Sequence, residues 1–406
     1  MGNFLIARTE RRIAQVIGKK EQVKNMFQES IDSKVYRKLQ KKLDKLPIAF
    51  PATESGVEIR ILKHLFTPEQ AQIALSMSFF PEPAMVIQKR LKKKYPILAE
   101  LEKILDQMSD QGSIARSITK DGLKIFSIAM LAIGMFEFQV DHLKKGFYED
   151  FKQYIDEKFR DALLNPKFTQ LRPVPTTGSI TPDLNIMPYD DIRRVLTQHR
   201  GPFHVVNCIC KEGQDLLGHP CKVTKEREIC LLFGSAARNY KDHGWGREIT
   251  REEVFKILDK GEQDGLVVQP SNSQYPFCIC LCCGCCCEVL SNAKPLDNPA
   301  QYFYSNYYAV TDDELCIGCG LCIDRCQMDA ITMEEGKSRV DLGRCIGCGL
   351  CTTVCDQKAI RLQKKDQITI PAKDTTQFYL NIMRARAGNA KMILMMTRRA
   401  LGMAIP

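Results

Sequence analysis

Over the first third of the chain, apolar positions recur with a period of about 3.6 residues, broken once by strict alternation. Ile59, Ile61, Leu62 and Leu65, with Glu58 among them, predict a short amphipathic helix that stops at Thr67-Pro68. Thr67 is placed to cap a second helix, carrying Ala71, Ile73, Ala74 and Leu75, with Pro68 at its first position. Ile97, Leu98, Leu101, Ile104, Leu105 and Met108 fall on one face of a longer helix. The period then drops to two. Residues 113–119 and 123–128 flank Lys120-Asp121-Gly122 and predict a hairpin. Helical spacing resumes over 136–159. Helices followed by a hairpin predict a winged-helix-like arrangement over 46–165. Beyond a Pro- and Thr-rich stretch at 166–178, read as a linker, residues 202–210 predict a buried strand showing Cys208 and Cys210 on one face. Thr250-Arg251-Glu252-Glu253 forms a capping box for a helix through Phe255, Ile257 and Leu258, and 265–268 predicts another strand.

At 406 residues the chain is long enough for two to four domains, and 44% hydrophobic with 26% charged residues is ordinary for a globular protein. Its net charge of +10 is unevenly spread. Residues 1–45, predicted as a basic helical extension, carry 12 Lys/Arg against 5 Asp/Glu. Residues 367–406 form a basic, Met-rich tail with 6 against 1, whereas 311–366 is acidic with 8 against 10. Such ends suit an acidic partner, a peripheral membrane contact or nucleic acid. The run Lys89-Arg90-Leu91-Lys92-Lys93-Lys94 stands near where a DNA-reading helix would lie. Lysine dominates it, however, where base readout calls for Arg, Asn and Gln, so docking or a structural role is the stronger expectation. The longest apolar run, 125–136, is shorter than the roughly 20 residues that span a bilayer, and no secretory core opens the chain. A cytoplasmic location is expected.

The cysteines change the picture. All 19 lie between Cys208 and Cys355, seven of them within the ten residues from Cys278 to Cys287. A long chain with clustered cysteines and no export signal points to metal ligation in a reducing compartment rather than to a disulfide scaffold. Cys316-x2-Cys319-x2-Cys322-x3-Cys326 recurs 29 residues later as Cys345-x2-Cys348-x2-Cys351-x3-Cys355. The flanks repeat as well, Asp329-Ala330-Ile331-Thr332 matching Lys358-Ala359-Ile360-Arg361. The glycines at 318, 320, 347 and 349 let the backbone wrap closely and aim N–H groups at sulfur. Zinc-ribbon pairs lack this three-plus-one pattern.

The duplicated segment resembles the bacterial two-[4Fe–4S] ferredoxins. The resemblance implies one [4Fe–4S] cluster on Cys316, Cys319, Cys322 and Cys355, and a second on Cys345, Cys348, Cys351 and Cys326. Gln327 and Asp356 replace the proline that follows each fourth cysteine in that family. Taken with Pro51–Gly56 and the upstream cysteines, residues 46–365 resemble multi-domain 4Fe–4S dicluster proteins of anaerobic bacteria and archaea, a resemblance that implies a fold sketch and no particular reaction.

Eleven cysteines follow no regular pattern: Cys208, Cys210, Cys221, Cys230, Cys278, Cys280, Cys282, Cys283, Cys285, Cys286 and Cys287. They are expected to hold one or two further Fe–S clusters, with a zinc site or redox-active thiols as the alternatives. His204 and His219 lie near them in sequence and are weighed as ligands, though each is more often a packing or surface residue.

The fold class expected is therefore multidomain α+β. It comprises a winged-helix-like domain (46–165), a Cys-rich α+β domain (179–297) and a ferredoxin-like domain (311–366). With no dinucleotide or nucleoside-triphosphate fingerprint, the chain is expected not to be catalytic alone. The leading function is an electron-transfer protein or subunit serving redox protein partners. The alternatives are a redox-responsive DNA-binding regulator and an enzyme with an unusual cluster at 278–287.

Overall fold

The computed structural model describes residues 33–405, so most of the predicted basic extension lies outside the described residues. The part that is described, helical over 33–43, sinks Val35, Tyr36, Leu39 and Leu43 into the main core. The fold is mixed α+β, and no helix among the described residues is long and apolar enough to cross a membrane.

Helix Val57–Leu65 ends where expected, and Thr67 caps helix Pro68–Ala74 through a full box: Gln70 N donates to Thr67 Oγ1 (3.2 Å) and Thr67 N to Gln70 Oε1 (2.9 Å). Strand β1 (Glu82–Pro83) and helices Ala84–Leu91 and Leu98–Asp110 precede the hairpin of β2 (Ile114–Ile118) and β3 (Lys124–Ile128). The three strands form an antiparallel sheet in the order β1-β3-β2. The continuous helix expected over 136–159 is corrected to helix Lys145–Tyr154 and its extension. Before it, the chain turns back at Glu137–Gln139 and Asp141 takes a φ of 66°. The apolar spacing there serves a different end. Phe136 leaves the turn to stack on Phe151, ring centroids 4.0 Å apart.

The central element is a five-stranded antiparallel sheet in the order β6-β4-β5-β8-β7 (Arg247–Ile249, Phe203–Asn207, Glu228–Phe233, Cys278–Cys282, Val267–Pro270). One face packs Val205, Leu231, Ile279 and Leu281 against helices Ile192–Gln198 and Arg251–Asp264. The other face, with Val206, Leu232 and Cys278, is covered by the N-terminal unit.

The stretch at 166–178 is not a free linker. Residues 171–176 are buried, and Arg172 N and Val174 N donate to Pro270 O and Val268 O, both at 3.1 Å, extending the sheet beyond β7. Pro173 and Pro175 alternate with those donors, so the N–H groups they lack are ones the ladder does not use. Arg172 is fully buried on Asp190 and the Tyr189 carbonyl, and the other oxygen of Asp190 accepts from Asn306 Nδ2 at 2.9 Å.

Asn306 leads into the C-terminal unit, in which β9 (Tyr307–Thr311) pairs with β12 (Ile360–Lys364) and β10 (Ile331–Glu334) with β11 (Lys337–Val340). The basic tail folds back. Helix Thr375–Ala387 buries Phe378, Ile382 and Met383, and Arg386 donates to the carbonyls of Asp44, Leu46 and Pro47 near the start of the described chain.

Candidate metal centres

Each half of the duplicated segment wraps a cavity. One, of about 110 Å³, is lined by Cys316, Cys319, Cys322 and, from the other half, Cys355. The second is lined by Cys345, Cys348, Cys351 and Cys326. In each half a short helical element, helix Leu321–Arg325 or the turn Thr352–Val354, immediately precedes the fourth cysteine.

The walls are close. A Cβ on Gly318 (φ 72°) would stand 2.4 Å from Gly336 O, and one on Gly347 (φ 66°) 2.2 Å from Tyr307 O. Backbone N–H groups aim at sulfur in both halves, Ser338 N at Cys316 (3.5 Å) and Ala309 N at Cys345 (3.4 Å), with Ala330 N at Cys326 (3.2 Å). The Ser338 and Gly318 N–H groups hold the Cys316 thiol below its ordinary range, whereas burial pushes Cys348 up to about 12. Four thiols, glycine-lined walls and N–H donors to sulfur fit a [4Fe–4S] cluster in each cavity.

The irregular cysteines separate into two groups. Eight line a third cavity of about 250 Å³: Cys208, Cys210, Cys230, Cys278, Cys280, Cys282, Cys283 and Cys287. Period-two geometry puts Cys278, Cys280 and Cys282 of β8 on one face, and Cys230 of β5 is paired directly with Cys280. Cys208 and Cys210 do not lie on a strand as expected. β4 ends at Asn207, and the pair occupies the N-cap and first turn of helix Ile209–Leu216. The remaining wall is largely apolar and comes from elsewhere: Phe136 and Phe151 from the N-terminal unit, Tyr379 from the C-terminal helix. Glu288, next to Cys287, is buried and held by Tyr148 and by Lys152 Nζ at 2.9 Å, both from the N-terminal unit.

Glu137 also lines this cavity, and burial raises its carboxyl from 4.5 to about 7 against the N–H donated by Gly134. A raised folded-state value favours the protonated form, so the stability it contributes is present at low pH and is lost as pH rises from about 4.5 through about 7. Glu137→Gln, which is neutral throughout and keeps an acceptor for Gly134, is expected to match the parent's melting temperature at pH 5 and to exceed it at pH 8. Equal melting temperatures at both pH values would show that Glu137 is not held protonated.

The second group is Cys221, Cys283, Cys285 and Cys286, whose sulfurs all lie within 4.8 Å of one another. Lys211, fully buried and absent from the site expected from sequence, donates to Cys221 Sγ (3.0 Å) and Cys283 Sγ (2.9 Å). Burial opposes its charge, but the Cys283 and Cys208 sulfurs keep its pKa above the ordinary lysine value. The histidines stay out of both groups: His204 is buried with Nε2 2.6 Å from Trp245 O, and His219 is exposed.

Gln327 explains one departure from the ferredoxin pattern. Its Oε1 accepts from Gly284 N at 2.8 Å, so the residue that replaces proline ties the duplicated segment to the loop between Cys283 and Cys285. Shared cores put the three cavities in a row. Cys280, Cys282 and Cys287 pack with Cys326 and Cys348, and Cys326 and Cys345 pack in turn with Cys322 and Cys355.

Residues 309–362 match the family model described as a 4Fe-4S dicluster domain. That segment is accordingly an iron–sulfur dicluster domain within a larger chain. No curated protein and no solved structure matches the chain.

Proposed function

We propose that the chain is an electron-transfer protein, or the electron-transfer subunit of an anaerobic redox complex, with two [4Fe–4S] clusters in the dicluster domain and a further iron–sulfur centre in the eight-cysteine cavity. The observation that carries this reading is the cross-supply of the fourth cysteine: Cys355 lines the first cavity and Cys326 the second. Bound there, such clusters supply reversible single-electron oxidation and reduction. The ligand sets are Cys316, Cys319, Cys322 and Cys355, and Cys345, Cys348, Cys351 and Cys326.

The chain's own residues set direction and insulation. Cys319 is exposed, with Leu315, Ile317 and Leu321 exposed around it, so a redox partner docks at this end of the row. At the other end, the N-terminal unit and Tyr379 supply an apolar wall to the eight-cysteine cavity.

We read the β1-β3-β2 sheet and its preceding helices as the winged-helix-like arrangement expected from the sequence. Its service as a cover for the cysteine face is favoured over DNA binding by the charge of helix Leu98–Asp110. That helix, in the position that would enter the groove, presents Glu100, Glu102, Asp106 and Asp110 against Lys103 alone, which repels phosphate. Arg90 of the basic run is already engaged by Glu82 and the Ser76 carbonyl.

A mediated redox titration of anaerobically purified protein tests the reading. At least two electrons per chain are expected to be taken up in separate one-electron steps; no uptake, or a single two-electron step, contradicts it. A finer expectation attaches to Ser338, whose hydroxyl is 3.7 Å from Cys316 Sγ and 3.0 Å from Thr311 Oγ1. Ser338→Ala removes a donor that favours the more negative, reduced state. At about 0.5–1.5 kcal/mol per hydrogen bond, one of the two dicluster potentials is expected to fall by about 20–60 mV while the others stay fixed. Potentials followed by electron paramagnetic resonance check this.

A further inference from the structure

The two groups of irregular cysteines differ in a way that bears on which metal each takes. A four-iron cube places an iron atom between every cysteine sulfur and the cluster centre, so its ligands must stand apart around a cavity. The two quartets of the dicluster domain and the eight-cysteine group are arranged around cavities, and none of these sets closes to within 4.8 Å throughout. Cys221, Cys283, Cys285 and Cys286 do the opposite. They form the one group among the described residues that closes to within 4.8 Å throughout. Their neighbouring separations are 3.7 Å (Cys221–Cys283), 3.8 Å (Cys221–Cys285), 3.4 Å (Cys283–Cys285) and 3.5 Å (Cys285–Cys286). A single tetrahedral ion with Zn–S bonds of about 2.3 Å requires sulfurs about 3.8 Å apart. The spacing suits one ion and leaves no room for a cube.

We infer that Cys221, Cys283, Cys285 and Cys286 bind one zinc ion in a closed tetrathiolate site, separate from the iron–sulfur centres. Four thiolates around Zn²⁺ leave a net charge of −2, and the Lys211 ammonium, donating to Cys221 and Cys283, halves it without entering the coordination shell. Zinc is favoured over a single ferrous ion because Zn²⁺ binds a given thiolate site more tightly than Fe²⁺. A closed four-thiolate shell with no open position is the form structural zinc takes. The site joins the loop after helix Ile209–Leu216 to the 283–286 turn, and Cys283 also borders the eight-cysteine cavity, so the ion would pin one wall of the redox site.

Elemental analysis of the full chain, purified without oxygen or chelator, decides the matter. One zinc per chain is expected, falling at least fivefold in Cys221→Ser and Cys285→Ser while the iron content and the reduced-state paramagnetic signals persist. Because either variant could misfold, the parent protein gives an independent reading. Produced with cobalt in place of zinc, it is expected to show the visible d–d bands and near-ultraviolet thiolate charge transfer of tetrahedral Co(II) bound by sulfur. Zinc well below one per chain, one mononuclear iron in its place, or loss of four irons on replacing Cys285 would each overturn the inference. Zinc and iron are counted separately, so this result stands or falls apart from the electron-transfer reading.

Discussion

Replacing Cys355 by alanine is expected to remove about four irons from the cavity of the distant loop, Cys316–Cys322, and to leave the cluster of its own loop in place. Sequence proximity alone would assign the loss to the Cys345–Cys351 loop. The cavity linings say otherwise, since Cys355 joins Cys316, Cys319 and Cys322, and Cys326 joins Cys345, Cys348 and Cys351. Ser338 identifies which cluster survives, because it touches Cys316 and so marks the first cavity. In a Cys355→Ala background the remaining dicluster potential is expected to ignore Ser338→Ala. In Cys326→Ala it is expected to shift. The reverse pattern would mean that each loop keeps its own fourth cysteine.

The second large effect concerns what holds the dicluster domain in register with the sheet. Arg172 and Asp190 form an ion pair almost wholly removed from water, and Asp190 also accepts from Asn306, whose Oδ1 accepts from Thr369 N at 2.8 Å. Arg172→Met leaves a buried carboxylate without its cation, and the expected loss is about 3–5 kcal/mol. Arg172→Met combined with Asp190→Leu removes both charges and is expected to recover most of that loss, since a buried ion pair and a well-packed apolar pair are often of similar stability. Denaturant titration followed by Trp245, the chain's one tryptophan, measures both variants. A single variant as stable as the parent would show that the pair does not anchor this junction.

What can be read from the sequence follows how local each signal is. The duplicated cysteine spacing encodes loops that fold within a few residues of themselves, so the spacing alone identifies the segment. Thr67-Pro68 and Thr250–Glu253 are equally local, and both cap helices where expected. The irregular cysteines are harder because their grouping is tertiary. Cys278, Cys280 and Cys282 alternate as a strand does, a signal present in the sequence, but only the pairing of β5 with β8 brings Cys230 to them. Cys221 joins Cys283 across 62 residues, which no spacing rule predicts. Lys211 gives no sign beyond adjacency to Cys210, because a lysine buried on sulfur looks the same in sequence as a solvated one. The Pro-rich stretch misleads for a physical reason: prolines that break most strands are tolerated on an edge whose ladder uses only the alternate residues.

The helix expected over 136–159 is interrupted where aromatic side chains set the apolar spacing through ring packing rather than through one helical face. The N-terminal unit's apolar surface meets the cysteine face of the sheet, and its segment after the hairpin, with Phe136, Phe138 and Phe151, makes one wall of the eight-cysteine cavity.

The most direct test of the whole account is a count of iron and acid-labile sulfide in protein purified without oxygen. About twelve of each per chain is expected, eight in the dicluster domain and four in the eight-cysteine cavity, in a one-to-one ratio. Fewer than eight irons, or iron without matching sulfide, would contradict it.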